Sequence, residues 1–198
     1  QPAIEAPYLA LRWHQRGFHD FLDNGCGPGR HAMFFAARGF RVTALDQSEQ
    51  ALDYLQNWAK QDDLSVNPVK GDLFQMPFEP DSFDCIMDYN ASYHTDTAGY
   101  RQAIAQMRRV LRPGGEVYLT LLSQNDPGFR SAPPESHTDQ YTLLHEGGTP
   151  HFYGRQEDFS ELFQGFSMAM PPREIRTRGP ASNKESIHYH LLLKKEDL

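Results

Sequence analysis

The fold is decided by one stretch of sequence, residues 23–30, which reads DNGCGPGR. The residues before it, 18–24 (FHDFLDN), are typical of a strand, and residues 30–38 have helical character that stops at Gly39. Glycines at a strand-to-helix turn allow a tight bend and let a ligand approach the backbone closely. The helix N-terminus offers unpaired N–H groups to a carboxylate or phosphate. The stretch therefore predicts a ligand-binding turn in an α/β fold.

Outward from this turn, the pattern alternates between strands and helices. Strands are predicted at 40–45, 65–70, 83–88 and 116–122, and helices at 7–16, from the N-cap Ser48 onwards, at 97–111 and at 157–163. Such repeated strand–helix–strand units predict a mostly parallel sheet with helices on both faces. Near the C-terminus, residues 173–178 and 186–194 predict an antiparallel hairpin at the sheet edge.

Composition narrows the class of protein. The chain has 198 residues, of which 39% are hydrophobic and 23% charged, and we expect a single folded domain over 1–198. A formal net charge of −7 disfavours non-specific nucleic-acid binding. The chain shows no apolar run of membrane-spanning length and no signal-peptide pattern, so no membrane partner is expected. Two cysteines outside any CxxC pair favour a cytoplasmic location.

Acidic residues follow two later strands. Asp46 lies 21 residues after Gly25, where a carboxylate can accept hydrogen bonds from ribose hydroxyls; the alternative is an aspartate that caps the next helix. Asp72 is placed to accept from an adenine amino group or to serve as a turn residue. The dinucleotide fingerprint GxGxxG would require a third glycine where Arg30 stands, and this departure favours a ligand other than NAD.

Taken together, five ordered motifs resemble those of the class I S-adenosylmethionine-dependent methyltransferases. The likeness is close over about residues 20–122 and looser to about 194, and it rests on residues 23–30, Asp46, Gly71-Asp72-Leu73, Met76-Pro77-Phe78 with Ser82-Phe83-Asp84, and residues 109–115 (RVLRPGG). The resemblance implies a Rossmann-like three-layer α/β sandwich, whose sheet is of the seven-stranded type. It also implies that the cofactor is S-adenosyl-L-methionine.

The resemblance further implies contacts to the methionine end of the cofactor. Gly25, Gly27 and Gly29 would line this end, and Asp23 would lie near its amino group. Cys26 stands where the family often has cysteine, and we interpret it as packing within the turn rather than as a nucleophile.

The remaining cofactor contacts are implied in the same way. Asp46, with Gln47 beside it, would hold the ribose hydroxyls, and Asp72 with Leu73 would hold the adenine. The segment from Asp88 to Asn90 would lie beside the sulfonium.

Candidate catalytic residues follow the fourth strand. A sulfonium methyl group is already electrophilic, so alignment is the main requirement, and a general base is needed only when the acceptor must lose a proton. Tyr93 and His94 lie within plausible reach of the acceptor, either as catalytic groups or as a wall of the site. Asn24 departs from the family, which usually has an apolar residue there, and is expected to rearrange local hydrogen bonds.

A small molecule is the expected methyl acceptor. Residues 88–91 (DYNA) lack the Pro-Pro-aromatic motif of the enzymes that methylate amino groups of nucleic-acid bases. The substrate cover is expected from a helical cap at 1–19 and from an excursion at 123–153 that shows no regular period. Its aromatic wall would include Tyr8, Trp13, His151 and Tyr153, with Tyr141, His145 and Phe152 as further members.

Other functions stay open at this point. A non-catalytic cofactor-binding or regulatory module would keep the cofactor site and lack an accessible acceptor pocket. An NAD-type oxidoreductase would use a similar fold. No metal site is expected, although His188 and His190 share one face of a strand. No oligomeric state is indicated.

Overall fold

The computed structural model describes residues 1–145, 147–178 and 185–197. Its helices are α1 (Ala6–Gln15), α2 (Arg30–Ala36), α3 (Glu49–Gln61), α4 (Thr97–Val110), α5 (Pro127–Ser131) and α6 (Phe159–Leu162). Its strands are β1 (Asp20–Asn24), β2 (Arg41–Asp46), β3 (Val66–Lys70), β4 (Phe83–Asp88), β5 (Leu111–Ser123), β6 (Thr142–Leu144), β7 (Pro150–Gly154), β8 (Phe166–Met168), β9 (Arg173–Arg178) and β10 (Glu185–Lys195).

The main sheet runs in the order β3-β2-β1-β4-β5-β10-β8. The first five strands of this order are parallel, with β1 between β2 and β4; Phe21, for example, pairs with Val42 on one side and Cys85 on the other. Strand order reverses beside β1, which places the turn after β1 at the switch point where open α/β sheets bind ligands. The prediction of a mostly parallel α/β sheet is confirmed.

The C-terminal strands are antiparallel, but their position differs from the prediction. β9 pairs antiparallel with β10, as expected of a hairpin, and its connection, residues 179–184, lies outside the described residues. β10 is nevertheless an inner strand, because its other edge pairs with β5. The edge beyond it is shared by β9 and by β8, a three-residue strand that the sequence pattern did not predict.

Apolar layers cover both faces of the sheet. On one face, α1, α2 and α3 pack through aromatic rings, and Phe21 and Phe35 are stacked with centroids 4.1 Å apart. On the other face, α4 and α6 cover the strands, and Tyr100 stacks on Phe152 at 4.2 Å. Large aromatic rings bury much apolar area in such contacts, so these layers hold the sheet rigid beneath its carboxyl edge.

The excursion at 123–153 is regular rather than structureless. It contains α5 and the antiparallel pair β6–β7, and β7 continues the sheet by pairing parallel with the end of β5, where Leu122 faces Tyr153. Two aspartates fix its turns: Asp126 accepts from the Gly128 N–H, and Asp139 accepts from the Tyr141 N–H. The excursion is therefore attached to the C-terminal end of β5, an inner strand of the sheet.

Two predicted boundaries also need correction. The helix predicted at 157–163 is a short 3₁₀ turn, Gln156–Asp158, followed by the single turn of α6. β5 begins at Leu111, before the Pro-Gly-Gly sequence that was taken to precede it, and its pairing with β4 is irregular there. None of the helices in the described part of the chain combines the length and apolar composition that crossing a bilayer requires.

Candidate functional site

The turn after β1 is held in a conformation that favours glycine. Gly25, Gly27 and Gly29 all have positive φ values, of 67°, 51° and 88°. A Cβ atom on Gly25 would collide with the Cβ of Ala91, and one on Gly29 would collide with Leu55. The backbone thus passes too close to its neighbours for any side chain at these two positions.

Beside this turn lies a cleft of about 290 Å³, which we call the glycine-turn cleft. It is lined by Gly25, Leu45, Asp46, Gln47, Gly71, Leu73, Asn90, Ala91 and His94. The Asp46 carboxylate accepts from the N–H of Gly27 at 2.7 Å and from the N–H of Ser48 at 2.9 Å. These bonds fix the carboxylate at the cleft wall, and each oxygen keeps a further lone pair for a ligand hydroxyl.

Asp72 lies next to the cleft rather than in its lining. The side chain is exposed, and its Oδ1 accepts from the Phe74 N–H at 2.8 Å and from Gln47 Nε2 at 3.4 Å. It therefore holds the turn that presents Leu73. The structure brings Gln47 and Leu73 into the lining of the cleft and places the Asp72 carboxylate at its rim.

Asp23 is buried beneath the turn. Its Oδ2 accepts from the Ala32 N–H at 2.8 Å, at the N-terminal end of α2, and burial raises its pKa to about 7. Cys26 is buried as well, with its N–H bonded to the Leu45 carbonyl oxygen at 3.0 Å. Neither side chain lines the cleft. Asp23 supports the turn from below, and Cys26 packs within it.

Asp88 is also buried, in a small polar cluster behind the cleft. It accepts hydrogen bonds from Asn24 Nδ2 at 3.1 Å and from the Ser92 hydroxyl, and burial raises its pKa to about 6. The unusual polar residue Asn24 thus ties β1 to the loop after β4. Sequence reasoning had assigned Asn24 no functional role, although its departure from the family was the signal.

Asn90 stands at the mouth of the cleft. Its φ is 56°, its N–H donates to Thr120 Oγ1 at 2.8 Å, and the same hydroxyl donates back to Asn90 Oδ1 at 3.0 Å. These two hydrogen bonds hold the backbone of Asn90 in the left-handed region, which residues other than glycine adopt only rarely, while its side chain stays exposed. Asn90 lines both the glycine-turn cleft and the cavity next to it.

That neighbouring cavity has a volume of about 900 Å³, and we call it the histidine cavity. It is lined by β10, by the excursion and by the loop after β4, and its members include Asn90, Tyr93, His94, Leu122, Asp126, Leu143, His145, His151, Tyr153 and His188. His94 and Asn90 belong to both spaces. A molecule bound in the cleft and a second molecule bound in the cavity would therefore meet at these two residues.

Imidazoles and phenols contact one another inside the histidine cavity. His94 Nδ1 lies 2.7 Å from His151 Nε2, and the His145 ring lies 4.0 Å from the ring of His151. The Tyr153 hydroxyl lies 2.8 Å from His145 Nε2. Burial and the neighbouring imidazoles lower the pKa of His151 to about 4, and burial lowers the pKa of His94 too.

Tyr93 is more deeply buried than we expect of a catalytic residue that contacts the acceptor. It is buried, and its hydroxyl lies 3.2 Å from His188 Nε2 on β10. His190, two residues along, instead contacts Tyr118 and lies 3.5 Å from the Glu5 carboxylate. The two histidines serve different environments. Within the described ranges, no three histidine, cysteine or acidic side chains converge as a metal site would require.

Several residues of the predicted aromatic wall are core residues, and these predictions are corrected. Trp13 is fully buried against Phe21 and Phe35, and its indole donates to Glu116 at 3.0 Å. Tyr141 and Phe152 are buried in the apolar layer on the opposite face of the sheet. The helix pattern alone could not separate an inward aromatic from an outward one.

Tyr8 and the excursion face different spaces. Tyr8 is half exposed and lines a separate groove of about 350 Å³ with His190 and Arg173. Of the predicted wall, the histidine cavity keeps His145, His151 and Tyr153.

The chain was compared with known proteins. Residues 21–115 match the family model described as a methyltransferase domain. A malonyl-[acyl-carrier protein] O-methyltransferase of Salmonella typhimurium is 36% identical over 118 residues, which are 59% of this chain and 45% of that protein. A sterol 24-C-methyltransferase of Pneumocystis carinii is 30% identical over 129 residues, 61% of this chain and 34% of that protein. The alignments thus span less than half of these relatives.

Solved structures share the fold. An S-adenosylmethionine-dependent methyltransferase of Methanosarcina mazei superimposes with a TM-score of 0.77 at 19% identity, covering 89% of this chain and 92% of the other. A 1,6-didemethyltoxoflavin-N1-methyltransferase of Burkholderia thailandensis, with its substrate and S-adenosylhomocysteine bound, gives a TM-score of 0.70 at 20% identity, covering 96% and 77%. At such identities the likeness concerns the architecture.

Proposed function

We propose that this chain, a member of the class I S-adenosylmethionine-dependent methyltransferases, transfers a methyl group from S-adenosylmethionine to a small molecule. The observation that carries the proposal is the junction at His94 and Asn90, where the glycine-turn cleft opens beside the histidine cavity. A two-substrate transfer needs two adjacent binding spaces with a shared boundary, and this chain has them.

The cleft fits the proposed cofactor. Gly25 leaves its backbone bare at the wall, the Asp46 carboxylate is fixed at hydrogen-bonding position for ribose hydroxyls, and Leu45 with Leu73 offers apolar contacts for adenine. When bound, S-adenosylmethionine supplies an electrophilic methyl group, so this chain's residues act mainly by alignment and exclusion of water. Asp23, Cys26, Gly27 and Gly29 shape the turn rather than touch the cofactor directly.

The acceptor occupies the histidine cavity in this proposal. Its lining of imidazoles, phenols and apolar side chains suits a small, partly aromatic molecule. His94 touches the acceptor, and Tyr93 orients His188 behind it. The excursion at 123–153 covers the site, as part of one domain over 1–198. The acceptors named for the two relatives, an acyl-carrier-protein-linked malonyl group and a sterol, guide the choice of test compounds.

We further propose that the protein acts in the cytoplasm and without nucleic acid. Both cysteines are free thiols in the structure and lie buried. The net charge of −7 does not suit a polyanion partner.

The test is a screen that measures S-adenosylhomocysteine release with S-adenosylmethionine and a panel of small metabolites. We expect release that depends on one compound class, and loss of release when Asn90 is changed to Leu, because leucine cannot accept from the Thr120 hydroxyl and is strained at a φ of 56°, so the junction loses its fixed shape. The surface change Asp53→Asn on α3 is the control. Cofactor binding without release across a broad panel would favour the non-catalytic binding module instead.

A further inference from the structure

We propose that His94 takes a proton from the methyl acceptor, and that His151 and the Thr149 carbonyl keep His94 Nε2 free to do so. His94 is then a catalytic residue and His151 a positioning residue. The acceptor therefore carries an O–H or N–H at the atom that is methylated. This inference rests on the proposed function and narrows its substrate class.

The backbone of the excursion determines which ring nitrogen of His151 carries the proton. The Thr149 carbonyl oxygen lies 3.3 Å from His151 Nδ1, and it also accepts from the His145 N–H at 3.0 Å. A carbonyl oxygen only accepts, so the hydrogen bond requires the proton on His151 Nδ1. A neutral imidazole has a single N–H, and the other nitrogen then carries a lone pair. His151 Nε2 is therefore an acceptor.

The hydrogen bond between His151 and His94 then determines which ring nitrogen of His94 carries the proton. His94 Nδ1 lies 2.7 Å from His151 Nε2, which is a close hydrogen-bond distance. Because His151 Nε2 accepts, His94 Nδ1 must donate, and its single proton lies there. His94 Nε2 is left with a free lone pair. The reverse order would set a bare His151 Nδ1 against the lone pairs of the Thr149 carbonyl.

The surroundings of His94 keep it neutral. Its ring is faced by the rings of Tyr93 and His151, at centroid distances of 4.6 Å each, with His145 beyond His151. A hydrogen bond to the Asn90 backbone raises the pKa of His94, but burial lowers it by more. Two acidic residues line the same cavity. The two oxygens of Asp126 accept from the N–H groups of Gly128 and Ile187, and the Glu185 carboxylate is paired with Arg176 and Arg178. Burial lowers the pKa of His94 below its ordinary value, so the base form predominates at neutral pH.

The acceptor heteroatom forms a bond to the methyl carbon, the carbon–sulfur bond breaks, and its electron pair stays on sulfur. The proton of the acceptor moves to His94 Nε2, which becomes an imidazolium. His94 is exposed to both spaces and returns the proton to solvent after the product leaves.

The proton order is tested on the protein alone by ¹⁵N NMR of the histidine rings near neutral pH. We expect His94 to carry its proton on Nδ1 and His151 to carry its proton on Nδ1. In His151→Phe the His94 signal should shift toward the Nε2–H form, while His14→Gln on α1 should leave it unchanged. A proton on His94 Nε2 in the unaltered protein would overturn the proposal.

The acceptor class is tested by turnover, with calorimetry of S-adenosylmethionine as a separate check on the proposed function. Compounds that the screen finds methylated should bear a proton on the accepting atom; methylation confined to proton-free nucleophiles such as pyridine would refute the class. With a compound that the screen finds methylated, held below the pKa of its accepting atom, His94→Gln should slow transfer about 10²- to 10⁴-fold. With the same compound held above that pKa, the variant should change the rate little. Equal slowing of both would assign His94 a structural role only. If the unaltered protein fails to bind S-adenosylmethionine in calorimetry, the proposed function itself is overturned.

Discussion

The glycine-turn cleft and the histidine cavity are adjacent but are built in opposite ways. The cleft is made of the turns after β1, β2 and β3, closed on one side by the loop after β4, and the hydrogen bond at its wall joins Asp46 to Gly27, 19 residues away. The cavity is made of side chains brought from distant segments: His94 meets a residue 57 positions away, and Tyr93 meets one 95 positions away. A local motif can therefore encode a donor site, whereas an acceptor site emerges only from the folded chain.

The two spaces also differ in chemistry. The cleft presents a fixed carboxylate and glycine backbone, and the cavity presents imidazoles and phenols. Changes in the cleft should therefore act on cofactor affinity, and changes in the cavity should act on acceptor turnover.

The largest effect is expected from Gly25→Ala. The added methyl group would collide with Ala91, and an alanine at a φ of 67° is strained. Strain alone costs about 1–3 kcal/mol, and the collision adds about 1–3 kcal/mol of overpacking. Chemical denaturation should show the loss of stability, and calorimetry should show loss of cofactor binding.

Gly17→Ala is the matched control for that change. Gly17 has a similar φ of 72°, but nothing lies within 4 Å of an added Cβ. This variant should lose only the strain energy and should keep its cofactor affinity. Equal destabilisation by both variants would show that the close approach of Ala91 has no role in the cleft.

The second effect concerns Asp46→Ala. Removing charge-assisted hydrogen bonds to ribose hydroxyls should cost about 1.5–3 kcal/mol, which is roughly a 10- to 150-fold loss in affinity for S-adenosylmethionine. Tyr153→Phe, in the cavity, should leave that affinity unchanged. A folded Asp46→Ala protein that binds the cofactor normally would remove Asp46 from the site.

A smaller effect is expected in the pH dependence of stability. Burial raises the pKa of Asp88 to about 6, so the folded state binds a proton that the unfolded state has released. Stability from this group is therefore fully present below about pH 4 and declines as pH rises to about 6. Asp88→Asn should flatten this decline, because an amide retains partners in Asn24 and Ser92 but does not titrate. Denaturation curves at several pH values will measure the slope, and an unchanged slope would contradict the assignment.

The smallest effect is expected in the excursion. Its attachment to β5 through Tyr153 should make residues 123–153 resist proteolysis already without ligand. Adding S-adenosylhomocysteine alone should change the cleavage rate little, and adding an acceptor should slow it. Protection by the cofactor alone would mean that the excursion covers the cleft rather than the cavity.

Much of the fold followed from the sequence because its signals are local. Ser48 caps α3 through its hydroxyl, which accepts from the Ala51 N–H, and the bounds predicted for β4 agree with the structure. The glycine turn and Asp46 were likewise recognisable, since their spacing reflects a single strand–turn–helix unit. These features need no knowledge of distant contacts.

The remainder depends on long-range packing. β7 and β8 are short strands that exist because β5 and β10 offer edges to pair with, and no periodicity marks them. Trp13 was wrongly predicted to line the substrate site. Its burial depends on contacts with Phe35 and with the Glu116 carboxylate, which are remote in sequence and which the helix pattern does not show. The sequence pointed to the cavity histidines one by one, but it did not show that His94, His145 and His151 contact one another.

The central claim, that the glycine-turn cleft is a methyl-donor site, is tested most directly by calorimetric titration of the unaltered protein with S-adenosylmethionine, S-adenosylhomocysteine and NAD. We predict binding of the first two with one molecule per chain, and no comparable binding of NAD. Preferential binding of NAD would contradict the account.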